Sequence, residues 1–216
     1  TLVAGTYPAN ANDHVSEIEQ SPDGSEDATE ARGEVFVTSL VNGRTRRITS
    51  TPAFEHHVSF GPDGRTLLYC SERGGDSDIY EASVPADRPA SFTQAGTVVE
   101  KKLIGTEGDA LLPSYSPDGK RVTYFDNRSS IKIYDRTTGK TTTLLPPGQI
   151  YSYIDGDISM TWSPDGRWIV ATTGSPLEDT DITLLDTTGK SEPVNLSRSG
   201  FPDKAPIFTP DSQAVI

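Results

Sequence analysis

Short runs of apolar and β-branched residues alternate with polar gaps along the whole chain, and these runs come in sets. A run at 159–162 precedes a polar turn, a second at 168–171 follows it, and a third begins at 181 after a polar loop. A fourth short run at 194–196 completes the set. Valine, isoleucine, threonine and aromatic residues fill the runs, whereas Gly, Pro, Asp and Ser fill the gaps, which is typical of β-strands and their turns. The pattern predicts units of four short antiparallel strands and no amphipathic helix.

One turn sequence, Ser-Pro-Asp-Gly, separates the first and second runs of these units. It stands at 21–24, 116–119 and 163–166, and the related sequences Gly-Pro-Asp-Gly and Thr-Pro-Asp-Ser stand at 61–64 and 209–212. Proline presets φ for the first turn position, the aspartate side chain accepts hydrogen bonds from nearby backbone amides, and glycine adopts positive φ readily. We therefore predict a hairpin turn at each of the five sites.

The repeats predict an all-β fold, because units of roughly 40–50 residues built from four short strands are typical of propeller blades. We predict a β-propeller of four-stranded antiparallel blades, with about five repeats of which the last is incomplete. The whole chain, 1–216, forms one propeller segment. Its predicted blades cover approximately 10–53, 54–108, 109–156 and 157–200, with a partial blade at 201–216.

Two repeats depart from this pattern. After the first turn, residues 25–30 read Ser-Glu-Asp-Ala-Thr-Glu, which is poor strand material, so we expect a weak second strand there. The fifth repeat stops at Ile216 inside its second strand. An incomplete blade exposes an unpaired strand edge, which favours self-association or fraying around 204–216. Residues 1–4 are expected to lend an outer strand to an incomplete blade.

The charge and composition narrow the partners that the chain can have. A net charge of −12 argues against nucleic-acid and anionic-membrane ligands, since both require clustered Lys and Arg. No apolar run is long enough for a membrane span. The single cysteine, Cys70, excludes an internal disulfide and is expected to be a small buried hydrophobe.

No residue carries a clear signal for catalysis, a cofactor or a metal. His56 and His57 are adjacent, so in a regular strand their rings face opposite sides, and we predict that they do not share a metal ion. Two Thr-Gly-Lys sequences, at 138–140 and 188–190, lack the first glycine of a phosphate-binding loop and are predicted to be hairpin turns.

The better candidates for binding are polar residues that lead into the first strands. They are Glu55, His56, Asp109, Asp155 and Asp157. Their carboxylates favour basic peptide ends through charge-assisted hydrogen bonds. The aromatic residues before the turns are expected to pack between blades, since large aromatic side chains are mostly buried. These are Phe60, Tyr115 and Trp162.

An aromatic residue before Ser-Pro-Asp-Gly, then a strand, a polar loop and Asp-Ile-Tyr, as at 78–80, resembles the WD-like repeats of TolB-type propellers. The propellers of tricorn-type proteases share these repeats. Ala-Arg-Gly-Glu-Val-Phe-Val at 31–37, Thr-Arg-Arg-Ile-Thr at 45–49 and Ser-Glu-Arg-Gly at 71–74 are similar to the opening blades of the second tricorn propeller. The resemblance extends over essentially the whole chain.

The two resemblances imply different functions. The tricorn resemblance implies a non-catalytic propeller that guides or binds peptides for a separate C-terminal serine-peptidase core, and no catalytic residue of that core maps onto this chain. The TolB resemblance implies an envelope protein, periplasmic or secreted, that binds a protein partner at the central opening. A cytoplasmic location and a purely structural scaffold are the alternatives, since a fold does not fix a function.

Overall fold

The computed structural model describes residues 15–152, 158–174 and 179–216, and all regular secondary structure within these residues is β. The strands form four antiparallel sheets of four strands, and each sheet keeps the order of the sequence. The first sheet contains β1 (Val15–Gln20), β2 (Glu26–Ala31), β3 (Glu34–Ser39) and β4 (Thr45–Arg47). The second contains β5 (Glu55–Phe60), β6 (Thr66–Ser71), β7 (Asp78–Ser83) and β8 (Val99–Ile104). The third contains β9 (Ala110–Tyr115), β10 (Arg121–Asp126), β11 (Ser130–Asp135) and β12 (Thr141–Leu145). The fourth contains β13 (Met160–Trp162), β14 (Trp168–Gly174), β15 (Thr180–Asp186) and β16 (Val194–Asn195). This architecture confirms the predicted all-β propeller fold.

The core consists of apolar layers between successive sheets. The aromatic residues before the second, third and fourth turns, Phe60, Tyr115 and Trp162, lie in these layers, as predicted. The Phe60 ring packs edge-on against Phe92, with centroids 5.9 Å apart. Two other aromatic residues add a hydrogen bond across the layer: the Tyr115 hydroxyl donates to Glu81 Oε2 at 2.7 Å, and Trp162 Nε1 donates to Thr123 Oγ1 at 3.1 Å. These side chains therefore hold neighbouring sheets together.

The repeated turn has the predicted chemistry, as the turn at 163–166 shows. Asp165 Oδ1 accepts hydrogen bonds from Ser163 Oγ at 2.6 Å and from the backbone amide of Arg167 at 3.0 Å. Gly166 takes a φ of 70°. Both hydrogen bonds lower the pKa of Asp165, and the bond from Ser163 has the larger effect. In the fifth turn Ser212 stands in place of glycine and adopts a φ of 60°.

The second turn shows how a departure from the motif is compensated. Gly61 replaces the serine, and a Cβ at this position would meet Thr66 Oγ1 at 1.9 Å. The threonine hydroxyl therefore occupies the space of the missing serine side chain. It donates to Asp63 Oδ1 at 3.0 Å, as the serine hydroxyl does to its aspartate in the three Ser-Pro-Asp-Gly turns.

The expectation of a weak second strand in the first repeat is wrong. Residues 26–31 form β2, which pairs with both β1 and β3. Buried and half-buried residues alternate along it, and Glu26 is one of the buried ones. Its carboxylate accepts hydrogen bonds from Ser91 Oγ at 2.6 Å, Phe92 N at 2.9 Å and Thr93 N at 2.8 Å. A loop distant in sequence thus supplies the partners that make a glutamate tolerable inside the sheet.

The fifth repeat forms a short hairpin. Ile207 and Ile216 exchange two backbone hydrogen bonds, of 3.0 and 2.9 Å, around a bridge between Phe208 and Val215. Both isoleucine side chains are exposed. Self-association or fraying at this edge stays a prediction, and residues 1–4 lie outside the described residues.

Candidate functional site

The first strands of the sheets lie innermost and are irregular. β5 contacts both β1 and β9. Within β5 the pairing register shifts between His56 and Ser59, and His57 has a φ of 54°. Leu112, at the equivalent position of β9, has a φ of 51°. Because L-residues rarely adopt positive φ, this bulge is a specific feature of the strands and turns their side chains to new directions.

A cavity of about 430 Å³ opens where the four first strands meet. Three residues from each of the first four repeats line it, at 17–19, 57–59, 112–114 and 158–160. Its volume lies within the range of roughly 300–1,000 Å³ that is usual for ligand pockets. Ile18 is 69% exposed at its edge. We call this cavity the central channel.

The central channel carries two carboxylates from the same face of β1. Glu17 Oε2 accepts a hydrogen bond from the backbone amide of Val58 at 3.1 Å, and Glu17 Oε1 lies 3.8 Å from His57 Nε2. Burial raises the pKa of Glu19, and the charge of Glu17 raises it further, whereas a hydrogen bond from the Phe60 amide opposes both effects. The channel therefore presents acidic groups to a ligand, and one of them takes up a proton more readily than an ordinary glutamate does.

Glu55, the first of the predicted binding residues, is fully buried. Its Oε1 accepts hydrogen bonds from Thr51 Oγ1 at 2.6 Å, Ser71 Oγ at 3.0 Å and Arg73 Nε at 3.1 Å. A carboxylate enclosed in this way has no surface to offer a peptide. The structure thus places Glu55 in a network that joins β5 to β6.

His56 and Asp109 are brought together through Ser77. Ser77 Oγ lies 3.4 Å from His56 Nε2, and the Ser77 amide donates to Asp109 Oδ1 at 3.2 Å. Asp109 also pairs with Arg128, at 3.3 Å, and stays partly exposed. These residues precede the channel-lining positions of β5 and β9. Asp155 and Asp157 lie outside the described residues.

The expectation that His56 and His57 face opposite sides is wrong. Their ring centroids are only 4.3 Å apart. The cause is the bulge, since the positive φ at His57 breaks the alternation of a regular strand. Ligand atoms of these two residues and of Cys70 all lie within 4.8 Å of one another.

Sequence reasoning missed Glu17, Glu19 and His57 as channel residues. The repeats do contain a signal, because aligning them on their turns places Glu17, His57, Leu112 and Ser159 at one position, four residues before the turn begins. The residues predicted from the sequence lead into the first strands, whereas the cavity is lined by residues further along each strand.

Comparisons with known proteins bear on the fold of the chain. No protein-family model matches the chain. The chain is 26% identical over 153 residues to a TolB homologue from Chlorobium chlorochromatii (strain CaD3), and this match covers 69% of the chain but 30% of the relative. The chain therefore spans about a third of that relative's length.

Two solved structures share the fold. A protein assigned as TolB from Agrobacterium tumefaciens aligns with a TM-score of 0.67 and 22% identity, over 93% of this chain and 68% of that one. The tricorn protease aligns with a TM-score of 0.70 and 18% identity, over 94% of this chain and 18% of that one. Within the described residues, no helix is long and apolar enough to cross a membrane. The chain has a TolB-like β-propeller fold.

Proposed function

We propose that this chain is a non-catalytic propeller segment that binds a basic, extended segment of a peptide or protein partner in the central channel. The observation that carries this proposal is the position of Glu17 and Glu19, whose carboxylates line an open cavity between the first strands. Charge-assisted hydrogen bonds from Lys or Arg to such carboxylates are stronger than bonds between neutral groups. The net charge of −12 would attract the same class of ligand from a distance.

Apolar surface beside the carboxylates suits an extended peptide better than a small cation. Ile18 stands between the two glutamates and is largely exposed, and Val58 and Pro113 line the same cavity. A segment that alternates basic and apolar residues could contact both kinds of surface. Asp109, Asp155 and Asp157, which precede the first strands, are proposed to add carboxylates at the approach to the channel.

Titration with matched peptides tests this proposal. Basic, neutral and acidic peptides of equal length are titrated calorimetrically against the wild type, Glu17→Gln and Glu19→Gln. The basic peptide should bind best, and each substitution should weaken its binding by about 10- to 150-fold, since one charge-assisted hydrogen bond contributes about 1.5–3 kcal/mol. Glu192→Gln, an exposed glutamate next to the outer strand β16, is the control and should change nothing.

An Asp155→Asn/Asp157→Asn variant tests the approach residues separately. Unchanged affinity in this variant would remove those two residues from the site. Equal binding of all three peptides, or no binding of any, would contradict the channel proposal and favour the structural scaffold.

The pKa of Glu19 gives the binding a defined pH dependence. An acid whose pKa is raised loses its charge at a higher pH than usual, so a basic peptide loses its partner there. Affinity should begin to fall at a pH above the ordinary glutamate value of 4.5. In Glu19→Gln this early loss should be absent. Titrations at a series of pH values measure the difference.

Two kinds of parent protein fit a segment with this ligand class. The identity with a TolB homologue supports an envelope protein, periplasmic or secreted, that binds a protein partner. The similarities at 31–37, 45–49 and 71–74, together with the shared fold, favour a tricorn-like serine peptidase in which the propeller guides peptides to a separate core. A PDZ-like domain and a peptidase core encoded after Ile216 would support the second parent, and only further blades there would support the first.

A further inference from the structure

His56, His57 and Cys70 form a compact group of buried side chains beside the central channel. Each offers one ligand atom, and these atoms lie within 4.8 Å of one another. His56 and Cys70 are a direct cross-strand pair on β5 and β6, and the bulge turns the His57 ring toward them. Among the residues that the structure describes, this is the one group of three potential ligands that meets such a distance limit.

The fold does not require ligating residues at these positions. In the third sheet the equivalent positions hold Leu111, Leu112 and Phe125, where Leu111 pairs with Phe125 as His56 pairs with Cys70. Leucine 112 has nearly the same φ as His57. Apolar side chains therefore pack on the same backbone one repeat later. Packing alone does not explain why the second sheet has two histidines and a cysteine at these positions.

We propose that His56, His57 and Cys70 bind a zinc ion. Imidazole nitrogen and thiolate sulfur are the ligands that zinc prefers in proteins, with bonds of about 2.0–2.3 Å. Tetrahedral coordination at these bond lengths separates ligand atoms by about 3.3–3.7 Å. The ligand atoms, which lie within 4.8 Å of one another, would therefore have to approach one another by up to about 1 Å on binding.

The hydrogen-bond partners around the three side chains are compatible with zinc binding. His57 Nδ1 accepts a hydrogen bond from the Leu112 amide at 3.5 Å, which zinc coordination at that nitrogen would replace. His56 Nε2 and His57 Nε2 would then carry their protons toward Ser77 Oγ, at 3.4 Å, and Glu17 Oε1, at 3.8 Å. Such neighbouring hydrogen bonds commonly fix metal-binding histidines. The Cys70 thiol points to the carbonyl oxygen of Ala110 at 3.3 Å. On binding, the thiol releases its proton to solvent and sulfur bonds to zinc, so affinity falls as the pH falls.

The central channel supplies the access and the remaining coordination position. His57 lines the channel, and Glu17 Oε1 lies 3.8 Å from His57 Nε2. One thiolate leaves a net charge of +1 on a zinc complex, which the Glu17 carboxylate would balance from the channel side. Three protein ligands with a fourth position open to water or to a carboxylate are typical of accessible zinc sites.

Metal titration of the purified chain tests the site. After chelator treatment, zinc uptake is measured by calorimetry and elemental analysis, and cobalt(II) serves as the spectroscopic probe. We expect one equivalent per chain and a thiolate-to-cobalt charge-transfer band. Cys70→Ser should abolish the band and weaken zinc binding more than about 100-fold, and His57→Gln should weaken it at least about tenfold.

The control is Glu192→Gln, at an exposed glutamate next to the outer strand β16, which should leave uptake unchanged. The cobalt spectrum of the wild type needs no variant, so the proposal stays testable if a substitution prevents folding. No uptake of one equivalent, uptake without a thiolate band, or undiminished uptake in Cys70→Ser would each overturn it. Peptide affinity of the metal-free chain tests the channel independently of this site.

Discussion

The second and third sheets reach the central channel with the same backbone but with different side chains. In both, the first strand bulges four residues before its turn and pairs with the second strand in the same register. The second sheet fills the bulge region with Glu55, His56, His57 and Cys70, and the third with Ala110, Leu111, Leu112 and Phe125. The first set is polar and titratable, whereas the second is wholly apolar.

This difference separates what the fold requires from what the site requires. The bulge recurs with histidine or leucine at its centre, and Ala205, which precedes the fifth turn by the same distance, also has a positive φ of 53°. Packing alone would be satisfied by the apolar set, because burying polar groups costs free energy unless each one has a partner. Glu55 has its partners within the protein, and zinc binding is the role that we propose for His56, His57 and Cys70.

The largest loss of stability is expected when a side chain of the apolar set is truncated to alanine. Phe125 is almost fully buried in the layer between the third and fourth sheets, so Phe125→Ala should lower the free energy of unfolding by about 3–5 kcal/mol. At the equivalent position of the second sheet, Cys70→Ala removes one small group and should cost about 1 kcal/mol. Urea denaturation of both variants in the presence of a chelator measures the difference. Equal costs would contradict the larger share of core packing that we assign to Phe125.

A smaller loss is expected from Glu55→Ala, which gives the second sheet the residue that Ala110 already provides in the third. Thr51, Ser71 and Arg73 would lose their shared acceptor. Removing one partner of a buried pair costs about 3–5 kcal/mol, and the second ion pair of Arg73, with Glu100 at 3.0 Å, should hold the loss near the lower limit.

Thermal or urea unfolding checks this value against two references. Glu55→Gln retains an acceptor of the same shape and should cost less than the alanine variant. Glu72→Gln, at the neighbouring exposed glutamate, should stay within about 0.5 kcal/mol of the wild type. A Glu55→Ala variant as stable as the wild type would show that this carboxylate is not needed for packing and would return it to the list of binding candidates.

The sequence predicted the propeller fold and the turn chemistry because both depend on local patterns. Ser163, Asp165 and Gly166 need only their neighbours to form the turn. Strand β2 could not be predicted, since Glu26 is stabilised by amides and hydroxyls of residues 91–93, which lie in the loop between β7 and β8. Local composition alone therefore led to the wrong prediction of a weak strand at 26–31.

The site was harder to predict than the fold, for a related reason. Positive φ is expected chiefly for Gly, and a leucine such as Leu112 gives no hint of it in the sequence. Without the bulge, alternation places His56 and His57 on opposite faces, and the cluster with Cys70 cannot be foreseen. The central channel also depends on four strands that are distant in sequence, so the pairing of Glu17 with β5 was visible only in three dimensions.

The smallest change in stability, and the most direct test of the comparison, is expected from His56→Leu/His57→Leu, which converts the second sheet to the pattern of the third. Without metal, the variant should unfold within about 1 kcal/mol of the wild type, since the apolar gain offsets the lost stacking of His56 on Phe54. With zinc, only the wild type should gain stability, by RT ln(1 + [Zn]/Kd). Thermal unfolding with chelator and with zinc measures both. If the variant instead loses several kcal/mol in chelator, the histidines serve the fold, and the contrast between the two sheets lies in packing and not in ligand binding.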